Sequence, residues 1–357
     1  MNWAVPRMMA KRILKVFLGT TIGRIFLEKC LKFSDHFHLG NFAGQQQRHY
    51  FPKKRSQENG QFQVVYYHRV TDLDPYWGGV PVQSFRLQME RLGRNFQVLP
   101  LEELIHRARE GRVPPRSMAI TFDDGYEDNY ENGFPILKKL GIPATIFLAT
   151  GGINDQGMLW HDKIFCGFFL APSSSVRIQG RQYPLSNTFQ RAIALNEFRS
   201  FLRQFPYSTW SKRVDQLLLE LEVEQGQCWP FVRKLKWEQI KQMQKSQISF
   251  GAHTVTHPIL TCLSREDAEQ EILESKKRIE QEIGEPVNLF AYPNGGEKDF
   301  DREVKSIIQK LGFSAAVTTI FGGNSRGTDP FELRRIGGGE TNPDVFIAQM
   351  GWYHFIC

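Results

Sequence analysis

Two adjacent carboxylates, Asp123 and Asp124, follow directly on the apolar run Ala119-Ile120-Thr121-Phe122, and Gly125-Tyr126 come next. In a parallel βα unit the strand C-termini face the active site. Two carboxylates in such a place repel each other unless a cation or a proton lies between them. A second apolar run, Ile248–Phe250, leads through Gly251-Ala252 into His253-Thr254-Val255-Thr256-His257-Pro258. Histidines at i and i+4 share one face of a helical turn, the usual spacing for a shared metal. One Asp and two His make a three-ligand metal site with positions left for water and substrate. The plainer readings are an Asp-Asp-Gly turn that caps a helix, and a solvated histidine pair.

The elements that must hold these residues begin at residue 62. Short β-branched runs are read as strands at 64–67, 96–99, 117–122, 144–148, 248–250, 287–292, 314–318 and 333–336. Helical patterns fall between most of them, as at 82–94, 129–140, 265–283 and 301–311. Strands alternating with helices imply a parallel sheet or barrel, and about eight strands suit a barrel. One interval breaks the rhythm. Residues 155–236 read as a mainly helical insertion on a βα loop, with helix expected at 188–225 and again at 237–245. The chain therefore divides into an arm and linker at 1–61, a barrel at 62–345 and a tail at 346–357.

With the order of motifs in view, a family resemblance appears. Thr121–Tyr126 and His253–Pro258 resemble the first two motifs of the polysaccharide deacetylases, the NodB-homology group that forms family 4 of the carbohydrate esterases. Phe290-Ala291-Tyr292-Pro293-Asn294-Gly295 looks like their third motif. Val64-Val65-Tyr66-Tyr67-His68-Arg69-Val70 resembles the opening of the exopolysaccharide-type branch, in which the motif order is circularly permuted. The resemblance covers roughly residues 62–345, with the insertion outside it.

The resemblance implies a distorted (β/α) TIM-like barrel of seven or eight strands that hydrolyses the N-acetyl group of an amino sugar. Matched residue by residue, Asp123 takes the place of the general base, and Asp124, His253 and His257 those of the metal ligands. His68 takes the place of the general acid, with His161 the next candidate. The metal implied is one divalent ion, zinc first, with iron, cobalt, nickel or manganese compatible with a mixed oxygen and nitrogen ligand set. Tyr292, Pro293 and Asn294 are expected at the substrate, with a backbone N–H near Asn294 facing the oxyanion. The base-orienting Arg of the third motif is replaced by Ala291, so Arg334 or Arg335 is expected to pair with Asp123. Trp160, in Leu159-Trp160-His161-Asp162, is read as lining the groove or as packed under the insertion. Two alternatives stay open: a deacylase of a lipid-linked monosaccharide, and a non-catalytic sugar-binding protein on a degenerate scaffold.

Composition narrows the partners. The 357 residues carry 41% hydrophobic and 23% charged side chains, enough for a sizeable core. No run of about 18 uncharged apolar residues occurs, which excludes a polytopic membrane protein. Residues 1–55 hold eleven basic and two acidic side chains, a balance of +9, while the remaining 34 basic and 36 acidic ones give −2. The basic character thus belongs to the arm, and no nucleic-acid groove is expected in the barrel. Residues 10–32 have the pattern of a basic amphipathic helix that could lie on an anionic membrane surface. No cleavable secretory signal is evident, which favours a cytoplasmic or membrane-peripheral location. Five cysteines, an odd number with no CxxC pair, argue against a disulfide framework.

Overall fold

The computed structural model describes residues 60–73, 79–155 and 157–353. The amphipathic stretch at 10–32 lies outside the described residues. Seven strands form a closed barrel: β1 (Phe62–Tyr67), β2 (Ser117–Phe122), β3 (Ala144–Leu148), β4 (Ile248–Ala252), β5 (Leu289–Ala291), β6 (Ala315–Phe321) and β7 (Leu333–Gly337). Every neighbouring pair is parallel, and β1 closes the ring by pairing with both β2 and β7. The run at 96–99, expected as an eighth strand, is a two-residue strand, Gln97–Val98, beside the first half of β2. The second half of that edge is already taken by β3, through Thr121 and Thr145, so the run has no place in the ring.

Around the barrel stand α1 (Val82–Asn95), α2 (Leu101–Arg109) and α3 (Phe134–Leu140). The insertion carries α4 (Trp160–Leu170), α5 (Thr188–Leu202), α6 (Trp210–Glu220) and α7 (Gln225–Val232). The outer layer resumes with α8 (Trp237–Gln244), α9 (Arg265–Ile283), α10 (Arg302–Lys310) and α11 (Pro343–Tyr353). Residues 346–353, read as part of a tail, belong to α11. Its Phe346 and Met350 are buried in the main core, and Gln63 Nε2 donates to the Met350 carbonyl at 2.8 Å.

Strand alternation sorts the side chains into two cores. Val65, Met118, Ile120, Ile146, Phe290 and Ile336 face outward into a cluster shared with the surrounding helices. The alternate residues Val64, Ala119, Phe147, Ala291, Val317 and Leu333 meet in a separate cluster with α2, inside the ring. Continuing that inward register along the same strands reaches Tyr66, Thr121, Asp123, His253 and Arg335. The alternation that fills the barrel therefore also aims the chemistry into its mouth.

The insertion has its own core, built on Trp160, Ile164, Phe168, Phe198, Trp210 and Leu217. It also holds a β-hairpin, Ser175–Ile178 with Arg181–Pro184, where no strand was expected. Against expectation, Cys166 on α4 and Cys228 on α7 form a disulfide with Cα atoms 5.7 Å apart. Cysteine counts and CxxC spacing report on local motifs. They are blind to two thiols 62 residues apart that the packing of two helices makes neighbours.

Candidate active site

Asp123 and Asp124 follow β2 directly. Asp123 keeps strand geometry, its N–H donating to the Tyr67 carbonyl at 2.9 Å. The chain then turns left-handed at Asp124 (φ 69°) and Gly125 (φ 65°), which separates the two carboxylates. Asp tolerates that region through its short polar side chain, and Gly occupies it freely. Asp123 meets Arg335 in a two-pronged pair, Nη1 to Oδ1 at 2.8 Å and Nη2 to Oδ2 at 2.7 Å. Arg335 is fully buried, its Nε donates to the Thr318 carbonyl at 2.7 Å, and its guanidinium lies over the Tyr66 ring at 4.7 Å. Burial pushes the Asp123 carboxyl up, but the Arg335 charge and hydrogen bonds outweigh it and leave the pKa below the ordinary value. Of the two arginines considered from sequence, Arg334 is exposed and plays no part in the site.

Asp124, His253 and His257 are brought together and buried, with one donor atom from each within 4.8 Å of the others. Asp124 Oδ1 lies 3.4 Å from His253 Nε2 and 3.3 Å from His257 Nε2. Ligands about 2.1 Å from one tetrahedral ion stand ~3.4 Å apart, so the spacing fits a single divalent cation. Asp124 Oδ1 is buried without a hydrogen-bond partner, as a carboxylate oxygen meant for a cation would be. His253 Nδ1 lies 2.7 Å from the Ala291 carbonyl, which fixes the tautomer and leaves Nε2 free as a ligand. Against burial, which raises it, the surrounding histidines and Lys234 hold the Asp124 carboxyl well below its ordinary range.

One expectation about these ligands is corrected. His253 and His257 do not share a helical turn. They lie on an irregular loop after β4 with positive φ at Thr254 (67°) and His257 (59°). The loop is held from outside by Glu271 of α9, which accepts from Val255 N at 2.8 Å, Thr256 N at 2.9 Å and Thr256 Oγ1 at 2.6 Å. Trp160 is buried, and its indole N–H donates to the His257 carbonyl at 2.8 Å. It supports a ligand's backbone from beneath the insertion.

His68 follows β1, half-buried, its ring edge-on to Tyr66 at 5.8 Å. It is close enough for its charge to act on both Asp123 and His161. His161 is buried, with Nε2 3.7 Å from Asp124 Oδ2 and its ring centre 4.3 Å from that of His257. Burial above all lowers its pKa to about 3, so it is neutral at ordinary pH. Behind it, Asp162 accepts from Tyr126 OH at 2.5 Å and pairs with the buried Lys234 Nζ at 3.0 Å. The Tyr126 bond joins the insertion to the turn that carries Asp124.

The third-motif stretch divides. Tyr292 is fully buried, stacked on Phe300 at 4.2 Å and bonded to the Phe331 carbonyl at 3.0 Å, so it is a packing residue. Pro293 is also buried. Asn294 (φ 56°) is half-buried and receives a hydrogen bond from Arg199 of α5 at 3.1 Å. Arg199, Glu271 and Lys234 went unnoticed in the sequence. Each sits on a helix or linker among many similar charges, and only the tertiary fold gives it a partner.

A family model described as polysaccharide deacetylase matches residues 110–316, a span that reaches neither His68 nor Arg335. The Bacillus subtilis (strain 168) protein YxkH is 22% identical over 301 residues, 84% of this chain and 78% of the relative. A Staphylococcus aureus poly-β-1,6-N-acetyl-D-glucosamine N-deacetylase is 40% identical over 78 residues, 22% of this chain and 27% of that enzyme. Among solved structures, IcaB from Ammonifex degensii aligns with a TM-score of 0.55 at 20% identity, over 83% of this chain and 98% of its own. The Streptococcus pyogenes deacetylase PplD in complex with acetate aligns with a TM-score of 0.55 at 19% identity, over 81% and 98%. At these identities the solved structures speak for the barrel, and the family model, matching more than half of the chain, places this protein in the polysaccharide deacetylase family.

Proposed function

We propose that the chain is a metal-dependent N-deacetylase of amino sugars in a polysaccharide or glycolipid, releasing acetate and a free amine. The observation that carries this reading is the Asp124, His253 and His257 cluster standing beside an Asp123 carboxylate gripped by Arg335. The residues present fit a divalent ion. What such an ion supplies is polarisation of the acetyl carbonyl and a lowered pKa for water. Asp123, kept ionised by Arg335, accepts the proton of the attacking water. A backbone N–H of the Asn294 turn faces the developing oxyanion. As the C–N bond breaks, His68 gives its proton to the departing amine nitrogen. His161 is unsuited to that step, because a group with a pKa of about 3 holds no proton to give at neutral pH.

An arginine absent from the third motif favours the reading of a non-catalytic scaffold. Arg335 removes that objection, since β7 supplies the guanidinium that the Ala291 position lacks. The basic pattern at 10–32 supports a place on an anionic membrane surface, which co-sedimentation of the full chain with anionic against neutral vesicles tests.

The deciding experiment is acetate release from N-acetylglucosamine oligomers by metal-reconstituted protein, beside Asp123→Asn. Release from the parent that is lost in the variant is expected. Equal release from both would remove Asp123 from the mechanism.

A further inference from the structure

We infer that the cleft contains a subsite for an anionic substituent of the saccharide, formed by Arg199 on α5 and Asn294 in the loop after β5. The inference rests on the deacetylase reading and adds the chemical class of the substrate to it.

A buried donor beside the cleft lacks an acceptor. Arg199 Nη2 donates to Asn294 Oδ1 at 3.1 Å. That bond orients the amide and leaves Asn294 Nδ2 as a donor, and this atom is buried without a hydrogen-bond partner. The charged groups that act on Arg199 are Arg203, which caps the C-terminus of α5, and Asp299. Asp299 is already engaged. Its Oδ1 pairs with Arg203 at 2.8 Å and its Oδ2 accepts from Gly296 N at 2.8 Å. Two guanidiniums therefore share one carboxylate, and Arg199 is left half-buried with a neutral amide as its partner. Burial, and after it the like charge of Arg203, lowers the Arg199 pKa, the mark of a cation held at a cost.

The position gives the cost a use. Asn294 belongs to the loop that faces the reacting acyl group in the proposed mechanism. On the other side, the Arg199 charge acts on His161, whose ring lies against His257 and near Asp124. Arg199 thus ties the insertion to the Asn294 loop, on the side of the cleft from which its charge is felt at His161. Guanidinium and amide N–H groups offer donors only, and a guanidinium fork matches carboxylate and phosphate oxygens. The chemistry that satisfies both residues is an anionic group carried by, or next to, the N-acetylated sugar. A carboxylate and a phosphate meet the requirement alike.

The full-length, metal-reconstituted protein is given three probes: neutral N-acetylglucosamine oligomers, oligomers alternating N-acetylglucosamine with glucuronate, and N-acetylglucosamine oligomers bearing a 6-phosphate. Acetate release gives kcat and KM, and calorimetric titration gives affinity independently of turnover. The expected result is a kcat/KM at least about 10-fold higher on one anionic probe, and the preferred probe names the anion. Arg199→Met should lose that preference by about 10- to 100-fold, through KM with kcat little changed, and Arg199→Lys should keep part of it. Melting temperature is read for each variant. Arg199→Gln, which retains a donor for Asn294, replaces Arg199→Met if that variant does not fold. Equal kcat/KM on neutral and anionic probes, or a preference that survives in Arg199→Met, overturns the subsite and leaves Arg199 as a contact that docks the insertion. Absence of acetate from every probe defeats the deacetylase reading instead. The titrations then decide the subsite alone: tighter binding of an anionic probe that Arg199→Met abolishes supports it, and equal affinities overturn it.

Discussion

Arg335 on the last barrel strand holds Asp123, 212 residues earlier, with both terminal nitrogens, one to each carboxylate oxygen at 2.8 and 2.7 Å. The same guanidinium is tied to the Thr318 carbonyl and covered by the Tyr66 ring. Asp123 is therefore gripped by an arginine that three strands, β1, β6 and β7, fix at once.

The consequence for pH follows from the direction of the shift. Burial alone raises the Asp123 carboxyl, and Arg335 brings it below its ordinary 3.8. A folded-state pKa below the unfolded one means the pair stabilises fully above pH 3.8 and loses its effect as pH falls further. Arg335→Met leaves burial unopposed. The acidic limb of kcat/KM should move upward toward neutrality, and stability should fall by about 3–5 kcal/mol, the usual loss when one partner of a buried pair is removed. An unmoved acidic limb in the pH–rate profile would show that Asp123 is not the base whose ionisation is being read.

Asp124→Ala and His257→Ala should each lose bound metal and activity together, because each removes one of three donors. Elemental analysis of purified protein checks this, and full metal content in either variant overturns the ligand assignment. Glu271→Gln is the subtler case. Its carboxylate touches no ligand side chain but fixes the backbone between the two histidines at Val255 and Thr256. Metal affinity should fall about 10- to 100-fold while the three ligands remain, the usual effect of changing an outer partner.

His68→Ala should retain the metal and lose about 10²- to 10⁴-fold in kcat, the range for removing a general acid. Metal content and single-turnover acetate release measured on the same preparation separate this outcome from a damaged site. Unchanged kcat would move the acid elsewhere.

The residues legible in the sequence were those that directly follow an apolar strand. Asp123, Asp124, His253 and His257 could be read because residues that follow a strand of a parallel βα unit are delivered to the active-site end. The barrel strands were legible because most of them are buried on both faces and read as mainly apolar runs, although β7 carries two arginines. The run at 96–99 has equal β-propensity, and its exclusion from the ring depends on β3 occupying the edge it would need. Choosing Arg335 over Arg334 required knowing which register faces inward, a property of the closed barrel. The i, i+4 spacing of His253 and His257 suggested a helix, yet positive φ at Thr254 and His257 brings them together in a loop that Glu271 supports. The insertion was legible as an interruption, with Trp160 and His161 as candidates within it, but Arg199 and Lys234 meet Asn294 and Asp162 only after it has folded back.

That folding back gives the Cys166–Cys228 disulfide a functional consequence. It joins α4 to α7 inside the insertion core, and α4 is the helix that carries Trp160, His161 and Asp162 to the site. Closing a 62-residue separation in the unfolded chain is worth about 4 kcal/mol in the chain-entropy model. The insertion core is separate from the two barrel cores, so its stability can change without theirs. Cys166→Ser with Cys228→Ser should lower the melting temperature by roughly 5–10 °C, or split calorimetric unfolding into two transitions with the insertion first. Activity at a temperature between the two transitions should fall with the earlier one, as the Trp160 bond to His257 and the Lys234 pair with Asp162 loosen. Reduction of the parent protein should reproduce the variant's melting curve. If neither reduction nor the double substitution alters melting, the bond adds nothing to the insertion, and the Trp160–His257 and Tyr126–Asp162 bonds hold α4 against the barrel without it.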